Sequence, residues 1–222
     1  MFALIYQNNK PFLFLILGTN GSGKTTYYNF LKSSSFFYSN ITFINPDILA
    51  LNLANKKGYK NVNELPKDLK VLIDFQAAKQ ALQARINCFK QKISFIEEST
   101  ASSRGTINLI DYAKSQGYIV KVLFISLNSP KLNHQRIMSR VLLGGHFVEP
   151  SIVERRYKKA LNLLPEIFFK ADRALLFDNS LFYRITLIKE NLSFKSYPNK
   201  FWSAQKLDCL VKEIKNFSQN KI

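Results

Sequence analysis

The sequence predicts an α/β fold, a parallel sheet flanked by helices, on three observations. Short apolar runs alternate with longer stretches of helical period, which is the pattern of β–α repeats. The runs are apolar at every position instead of every second one, as strands covered on both faces must be. The first run also leads straight into a glycine-rich turn with helix-compatible sequence behind it.

In chain order, strands are expected at residues 12–17, 41–44, 93–96, 119–125 and 174–177, with a further edge strand at 183–188. Helices are expected from the end of the glycine turn to about 31, then over about 66–92, 104–116, 130–143 and 150–169. In the second of these, Leu69, Leu72, Phe75, Leu82, Ile86 and Phe89 recur at spacings close to a helical stripe. The last twenty or so residues, with Leu207, Leu210, Val211 and Ile214, predict an amphipathic helix capping the domain, its polar face rich in lysine. No repeat or low-complexity linker divides the chain, so residues 1–222 are expected to form one domain. Its lid is expected at about 130–160 and a C-terminal helical extension at about 198–222.

The 222 residues, 46% hydrophobic and 21% charged, suffice for a real core and exclude a mostly disordered chain. The net charge is unusual: 32 Lys and Arg against 15 Asp and Glu give +17. That balance favours anionic partners such as nucleotides, sugar phosphates, nucleic acid or an acidic protein, without choosing among them. An A·T-rich genome accounts for a Lys- and Asn-rich composition equally well. Cys88 and Cys209 have neither zinc nor redox spacing and are expected to be reduced, partly buried residues of a cytosolic protein. The apolar run at 11–17 is too short to span a bilayer and lacks the flanks of a signal peptide, so neither export nor a membrane anchor is expected.

Residues 18–25 read GTNGSGKT, a full match to the phosphate-binding loop G-x-x-x-x-G-K-[ST] in its required place between strand and helix. Gly18, Gly21 and Gly23 let backbone N–H groups turn inward toward phosphate oxygens. Lys24 adds a point charge for the β and γ phosphates, and Thr25 a hydroxyl for Mg²⁺. The acceptor of the phosphate is not specified by this loop.

In a sheet of this kind, chemistry collects at the carboxyl ends of the strands. Asp47, in FINPD (43–47), stands just past the second strand, where a helix cap and a catalytic base are equally good readings. Glu97 and Glu98 close the third strand. Being adjacent they point to opposite sides, so one faces the cleft, supporting Mg²⁺ or the substrate, and spacing does not say which. Residues 136–157 carry Arg136 and Arg140 four apart, a Gly144–Gly145 break, His146, Pro150, and then Arg155 and Arg156. A mobile turn between arginine-bearing helices is how a phosphoryl-transfer lid is built, although a solvated helical hairpin would carry the same charges. The single His146 is expected to make a turn or lid contact.

Together these pieces resemble the zeta toxin family, a P-loop kinase group that includes UDP-N-acetylglucosamine kinases. The resemblance runs over about residues 11–180 and rests on GTNGSGKTT (18–26), FINPD (43–47), SFIEEST with Arg104 (94–104), RVLLGGHFV followed by RRY (140–157), and LFDNS (176–180). The arginine–glycine–glycine–histidine element with its later Arg-Arg-Tyr is more specific than the widely shared glycine loop. The resemblance implies a P-loop NTPase-type sheet with a helical lid. It implies an ATP site over Gly18, Thr19, Asn20, Gly21, Ser22, Gly23, Lys24, Thr25 and Thr26, with Mg²⁺ on Thr25. It implies Asp47 as general base, with Glu98, Thr100 and Arg104 in the substrate cleft. Arg140 matches a lid arginine near the phosphates, Arg155 or Arg156 a second, and Asp178 with Asn179 a strand-end pair near the nucleotide. Two departures stand out: Ser99-Thr100 where many relatives have two threonines, and Val148-Glu149-Pro150 where the lid often reads Val-Pro.

The implied function is an ATP- and Mg²⁺-dependent kinase of a hydroxyl on a nucleotide-sugar such as UDP-N-acetylglucosamine, with toxicity and an antitoxin partner implied by kinship alone. The competing readings are a kinase of a nucleoside, cofactor or nucleic-acid terminus, and a nucleotide-dependent switch or DNA-binding module. No DNA-recognition motif favours the latter, but the positive charge leaves nucleic acid open as a partner.

Overall fold

The computed structural model of the chain describes residues 10–34, 41–142, 145 and 147–219. Its centre is a seven-stranded sheet in the order β2-β3-β1-β4-β5-β6-β7. The strands are β1 (Phe12–Gly18), β2 (Thr42–Ile44), β3 (Phe95–Ser99), β4 (Ile119–Ser126), β5 (Arg173–Asp178), β6 (Arg184–Glu190) and β7 (Ser193–Ser196). The five from β2 to β5 are mutually parallel, and β6 and β7 add an antiparallel edge. The fold is that of the expected α/β class.

The helices are α1 (Lys24–Ser33), α2 (Pro46–Lys56), α3 (Lys67–Gln91), α4 (Arg104–Ser115), α5 (Pro130–Leu142), α6 (Pro150–Lys170) and α7 (Ala204–Gln219). All seven residues of β1 are buried, because both faces of this central strand are covered. Leu13, Leu15 and Leu17 face one core with Phe95, Val122, Phe124 and Leu176, closed by α3, α4, α6 and α7. Phe12, Phe14 and Ile16 face the other, with Tyr27, Tyr28 and Leu31 of α1. This two-sided burial is what makes the strands apolar at every position. On the last helix Leu207, Leu210 and Ile214 are buried in the same core as Trp202, whose indole N–H donates to Ser126 Oγ at 3.1 Å.

Three expectations need correction. The stripe read along α3 is not its buried face. Ile73, Ala77, Ala81 and Cys88 are buried there with Phe89, while Leu72, Phe75, Leu82 and Ile86 are exposed. Ile73 and Ala77 pack with Ala50 and Ala54 of α2, and Ala81, Cys88 and Phe89 join the core beneath the sheet. Cys209 is exposed instead of partly buried, whereas Cys88 is buried, and both are free thiols. The short strand β7 was not expected, since only half-buried Phe194 marks an apolar position in it. Among the described residues, no helix is long and apolar enough to cross a membrane.

Candidate functional site

A cavity of about 880 Å³ opens at the carboxyl ends of β1, β2 and β3. The chain leaves β1 through residues 18–23 and enters α1 at Lys24, with Gly23 as the left-handed residue just before it at φ 98°. A Cβ at Gly23 would lie 2.5 Å from Tyr183 Oη and 2.7 Å from Asn179 Nδ2, so only glycine fits. Gly18 serves differently. At φ 142° its missing Cβ makes room for the Ile125 carbonyl, which would stand 2.2 Å away, so it packs the loop onto β4 and does not line the cavity.

Other parts of the chain hold the loop in place. Asn133 of α5 donates to Thr19 Oγ1 (2.6 Å) and to the Asn20 carbonyl (2.5 Å). Asn179 Nδ2 donates to the Ser22 carbonyl (2.9 Å), and Tyr183 Oη to that of Gly23 (2.7 Å). Thr19 and Ser22 are buried and outside the lining, whereas Asn20, Gly21, Gly23, Lys24, Thr25 and Thr26 line the cavity. Lys24 is buried, its ammonium bonded to the Thr19 carbonyl at 3.0 Å and 3.8 Å from Glu98 Oε1. Burial lowers its pKa against the pull of Glu98 and Asp47, and Arg140 and Arg156 push the same way as burial.

The two glutamates of β3 separate as their alternation requires. Glu97 turns to the α3 side and accepts from Arg85 Nε and Nη2, at 2.9 and 2.6 Å. Glu98 turns to the cavity, where its carboxylate accepts from Thr25 Oγ1 (2.9 Å) and Asn45 Nδ2 (2.8 Å). Desolvation raises the Glu98 pKa and Asp47 adds to the rise, while Lys24 and the two hydrogen bonds oppose it.

The structure also removes one of the two readings of Asp47, that of a helix cap. Asn45 is the N-cap of α2, its Oδ1 accepting from the N–H of Asp47 (2.9 Å) and of Ile48 (3.3 Å). Asp47 is therefore released from capping, and its exposed carboxylate lines the cavity. Asn45 thus caps a helix with one end of its amide and steers Glu98 with the other. Asn45→Ala is expected to cost about 1 kcal/mol of stability through the lost cap, measurable by urea unfolding, and to lower activity as well, because Glu98 loses a donor. Asn45→Asp should recover the cap without recovering the activity.

The arginines sort cleanly. Arg136 and Arg140 of α5 and Arg156 of α6 line the cavity, and Arg156 reaches Asn20 Oδ1 at 3.0 Å. Arg155, one position along the helix, points outward and is exposed. Arg104 is also outside: its guanidinium makes a two-pronged pair with Glu166 of α6 at 2.6 and 3.0 Å. Thr100 and Ser99 do line the cavity. Gly144 and His146 lie outside the described residues. The flanking Gly145 carbonyl accepts from Asn63 Nδ2 (2.7 Å), and the Phe147 N–H donates to Asn63 Oδ1 (3.2 Å), which ties the turn to the segment between α2 and α3.

Several lining residues were not singled out from sequence. Asp74 and Ala77 come from α3, and Tyr183 from the start of the antiparallel edge. Asn133 carried a faint signal, being three residues before Arg136 and so on the same face of α5. For Asp74 none existed, since the fold alone brings α3 to the cavity. Asp178, grouped with Asn179 in the sequence, turns away and accepts from the Ser180 N–H at 2.9 Å.

The family model described as Zeta toxin matches residues 3–184. The chain belongs to the zeta toxin family. A relative in Haemophilus influenzae, an uncharacterized protein, is 32% identical over 153 residues, covering 69% of this chain and 95% of the relative. Among solved structures, a chain of the AvrRxo1-ORF1:AvrRxo1-ORF2 complex with sulphate ions superimposes with a TM-score of 0.68 at 14% identity, covering 95% of this chain and 71% of that one. The same complex with ATP gives 0.67 at 14%, over 91% and 64%. A chain of the PezAT chromosomal toxin–antitoxin system of Streptococcus pneumoniae gives 0.58 at 15%, over 96% and 88%. At these identities the zeta toxin fold is shared, and nothing finer is carried across by the structural likeness.

Proposed function

We propose that this zeta toxin family member is an ATP-dependent kinase that passes the γ-phosphoryl group to a hydroxyl of a small molecule. The observation that carries the reading is a carboxylate, Asp47, freed from helix capping and set in one cavity with a phosphate-type loop and its buried lysine. Phosphoryl transfer needs alignment and charge neutralisation more than covalent help, and the cavity supplies both. The loop N–H groups and the start of α1 hold the β and γ phosphates, while Lys24, Arg140 and Arg156 meet the charge on the transferring group. Asp47 orients the acceptor hydroxyl and takes its proton.

Mg²⁺ fits beside Thr25 and Glu98, a hydroxyl and a carboxylate in mutual contact, both hard oxygen donors. Among the described residues no cluster of three or more acidic, Cys or His side chains exists to cage a metal. That suits an ion which completes its shell with phosphate and water. When bound, it would supply neutralisation of the β and γ oxygens. Glu98 is thus read as the carboxylate behind the metal, and the acceptor is left to Asp47, Asp74, Ser99 and Thr100. Arg104 is dropped from the substrate-binding residues and Arg155 from the catalytic ones.

Family kinship supports a nucleotide-sugar such as UDP-N-acetylglucosamine as acceptor. One observation favours a second reading, an uncharged acceptor such as a nucleoside. The cations lining the cavity are Lys24 and the three arginines, all on the loop and lid side, whereas the α2–α3 side contributes Asp47 and Asp74. An acceptor diphosphate would meet carboxylates there. Kinship also supports action as a toxin held by an antitoxin, as in the PezAT system, and a cytoplasmic site of action.

Incubating the protein with ATP and a metabolite mixture, then reading products by mass spectrometry, separates the two acceptors by product identity. Lys24→Ala should weaken Mg²⁺–nucleotide binding by about tenfold or more, since it removes the one buried cation among the phosphate-loop residues. ATP consumed with no phosphorylated product, and unchanged by Lys24→Ala, would overturn the kinase reading.

A further inference from the structure

The exposed apolar stripe on α3 has no task in the cavity, and its spacing is self-complementary. Val71, Phe75, Leu82 and Ile86 are 70%, 68%, 51% and 37% exposed, far more than a helix of an isolated globule needs to leave in water. Phe75 and Leu82 stand equally far from the midpoint between Ala78 and Lys79, and so do Val71 and Ile86. A two-fold axis through that midpoint would set a second α3 antiparallel to the first, with Phe75 of one copy against Leu82 of the other and Val71 against Ile86. The small Ala78 at the axis permits close approach. The steps of four, three and four through Val71, Phe75, Ala78 and Leu82 are those of an antiparallel coiled-coil seam.

The receiving surface is already formed. Leu82, Ile86, Phe89, Leu109 and Tyr112 line a groove of about 380 Å³ between α3 and α4 together with polar side chains, Arg85 and Lys90 among them, at the place where the partner's Phe75 would arrive. Phe89 and Tyr112 hold its wall edge to face, their ring centroids 4.9 Å apart. Asp68, between Lys67 and Lys70 near the start of α3, and Lys90 near its end are of opposite charge. They are separated by about six helical turns and so share one edge of the helix. Antiparallel pairing places each Asp68 beside the partner's Lys90. Lys79 flanks the axis in both copies, and its stem is long enough to carry the ammonium out to water.

We propose that this surface is an isologous dimer interface, in which two copies of the chain pair through antiparallel α3 helices and each Phe75 fills the other's α3–α4 groove. The inference does not rest on the kinase reading, and of the α3 residues that line the cavity Ala77 faces away from the stripe while Asp74, four positions before Ala78, borders it. A single helix pair with its groove is at the small end of stable interfaces, so a dissociation constant of about 1–100 µM is expected.

Sedimentation equilibrium of the full chain over about 1–300 µM tests it, in roughly 0.3 M salt to screen repulsion between two copies of net charge +17. The wild type should shift from monomer to twice its mass with concentration. Phe75→Glu and Leu82→Glu, both at exposed positions, should remain monomeric across the range and keep the phosphoryl-transfer rate of dilute wild type. Asp68→Lys and Lys90→Asp should each weaken association about tenfold, and the double exchange should restore it. A wild type monomeric throughout, a dimer indifferent to Phe75→Glu and Leu82→Glu, or a stripe protected only by a different protein would each overturn the proposal.

Discussion

Replacing Asp47 by alanine is expected to lower phosphoryl transfer by a factor of about 10² to 10⁵ while nucleotide affinity stays within about twofold. The two effects separate because of where the residue stands. The loop, Lys24 and Thr25 are positioned by Asn133, Asn179, Tyr183 and Glu98, through hydrogen bonds in which Asp47 takes no part. The α2 cap belongs to Asn45, so the helix survives the substitution. What is lost is the group that aligns and deprotonates the acceptor. A loss in transfer matched by an equal loss in ATP affinity would instead make Asp47 part of the nucleotide site. Single-turnover kinetics beside equilibrium titration with a fluorescent nucleotide makes the distinction.

Arg156→Ala is expected to cost about 10³-fold or more in kcat, and Arg155→Ala almost nothing. The sequence places these residues side by side and leaves them equivalent. On α6 they are about 100° apart, so only one can address the loop. Arg156 lines the cavity and contacts Asn20, whereas Arg155 is in solvent. A guanidinium facing developing charge in a partly dry cavity is worth far more than one in water. Equal effects from the two substitutions, measured with the same acceptor, would show that α6 rotates during closure and that the arrangement seen here is not the reacting one.

The parts of the site legible in the sequence are those in which a short segment carries its own geometry. GTNGSGKT needs only a strand before it and a helix after it to form its loop. The Glu97–Glu98 pair had to split because alternation along a strand is a local rule, and Glu98 is the one that lines the cavity. The five parallel strands were legible for the same reason, since burial on both faces leaves an uninterrupted apolar run. In FINPD both readings of Asp47 stayed open because Asn45 and Asp47 can each cap a helix beginning at Pro46. Only the hydrogen bonds of Asn45 to two backbone N–H groups show which one does.

Arg104 and the α3 stripe show where such reading stops. The family resemblance implies that Arg104, just after the third strand, belongs with the substrate cleft. In the folded chain it meets Glu166, 62 positions away, and is held outside. The leucines and phenylalanines of α3 have the period of a core face, yet Leu72, Phe75 and Leu82 are exposed and the core takes Ile73, Ala77 and Ala81. The sequence by itself thus determined the parallel sheet, the phosphate loop and the acids at the strand ends, each set by bond geometry and burial over a few residues. The tertiary structure alone decided which arginines face the cavity, that Asp74 joins it, and which side of α3 remains in water. Those outcomes depend on which distant helix arrives beside each residue, and local spacing does not encode that.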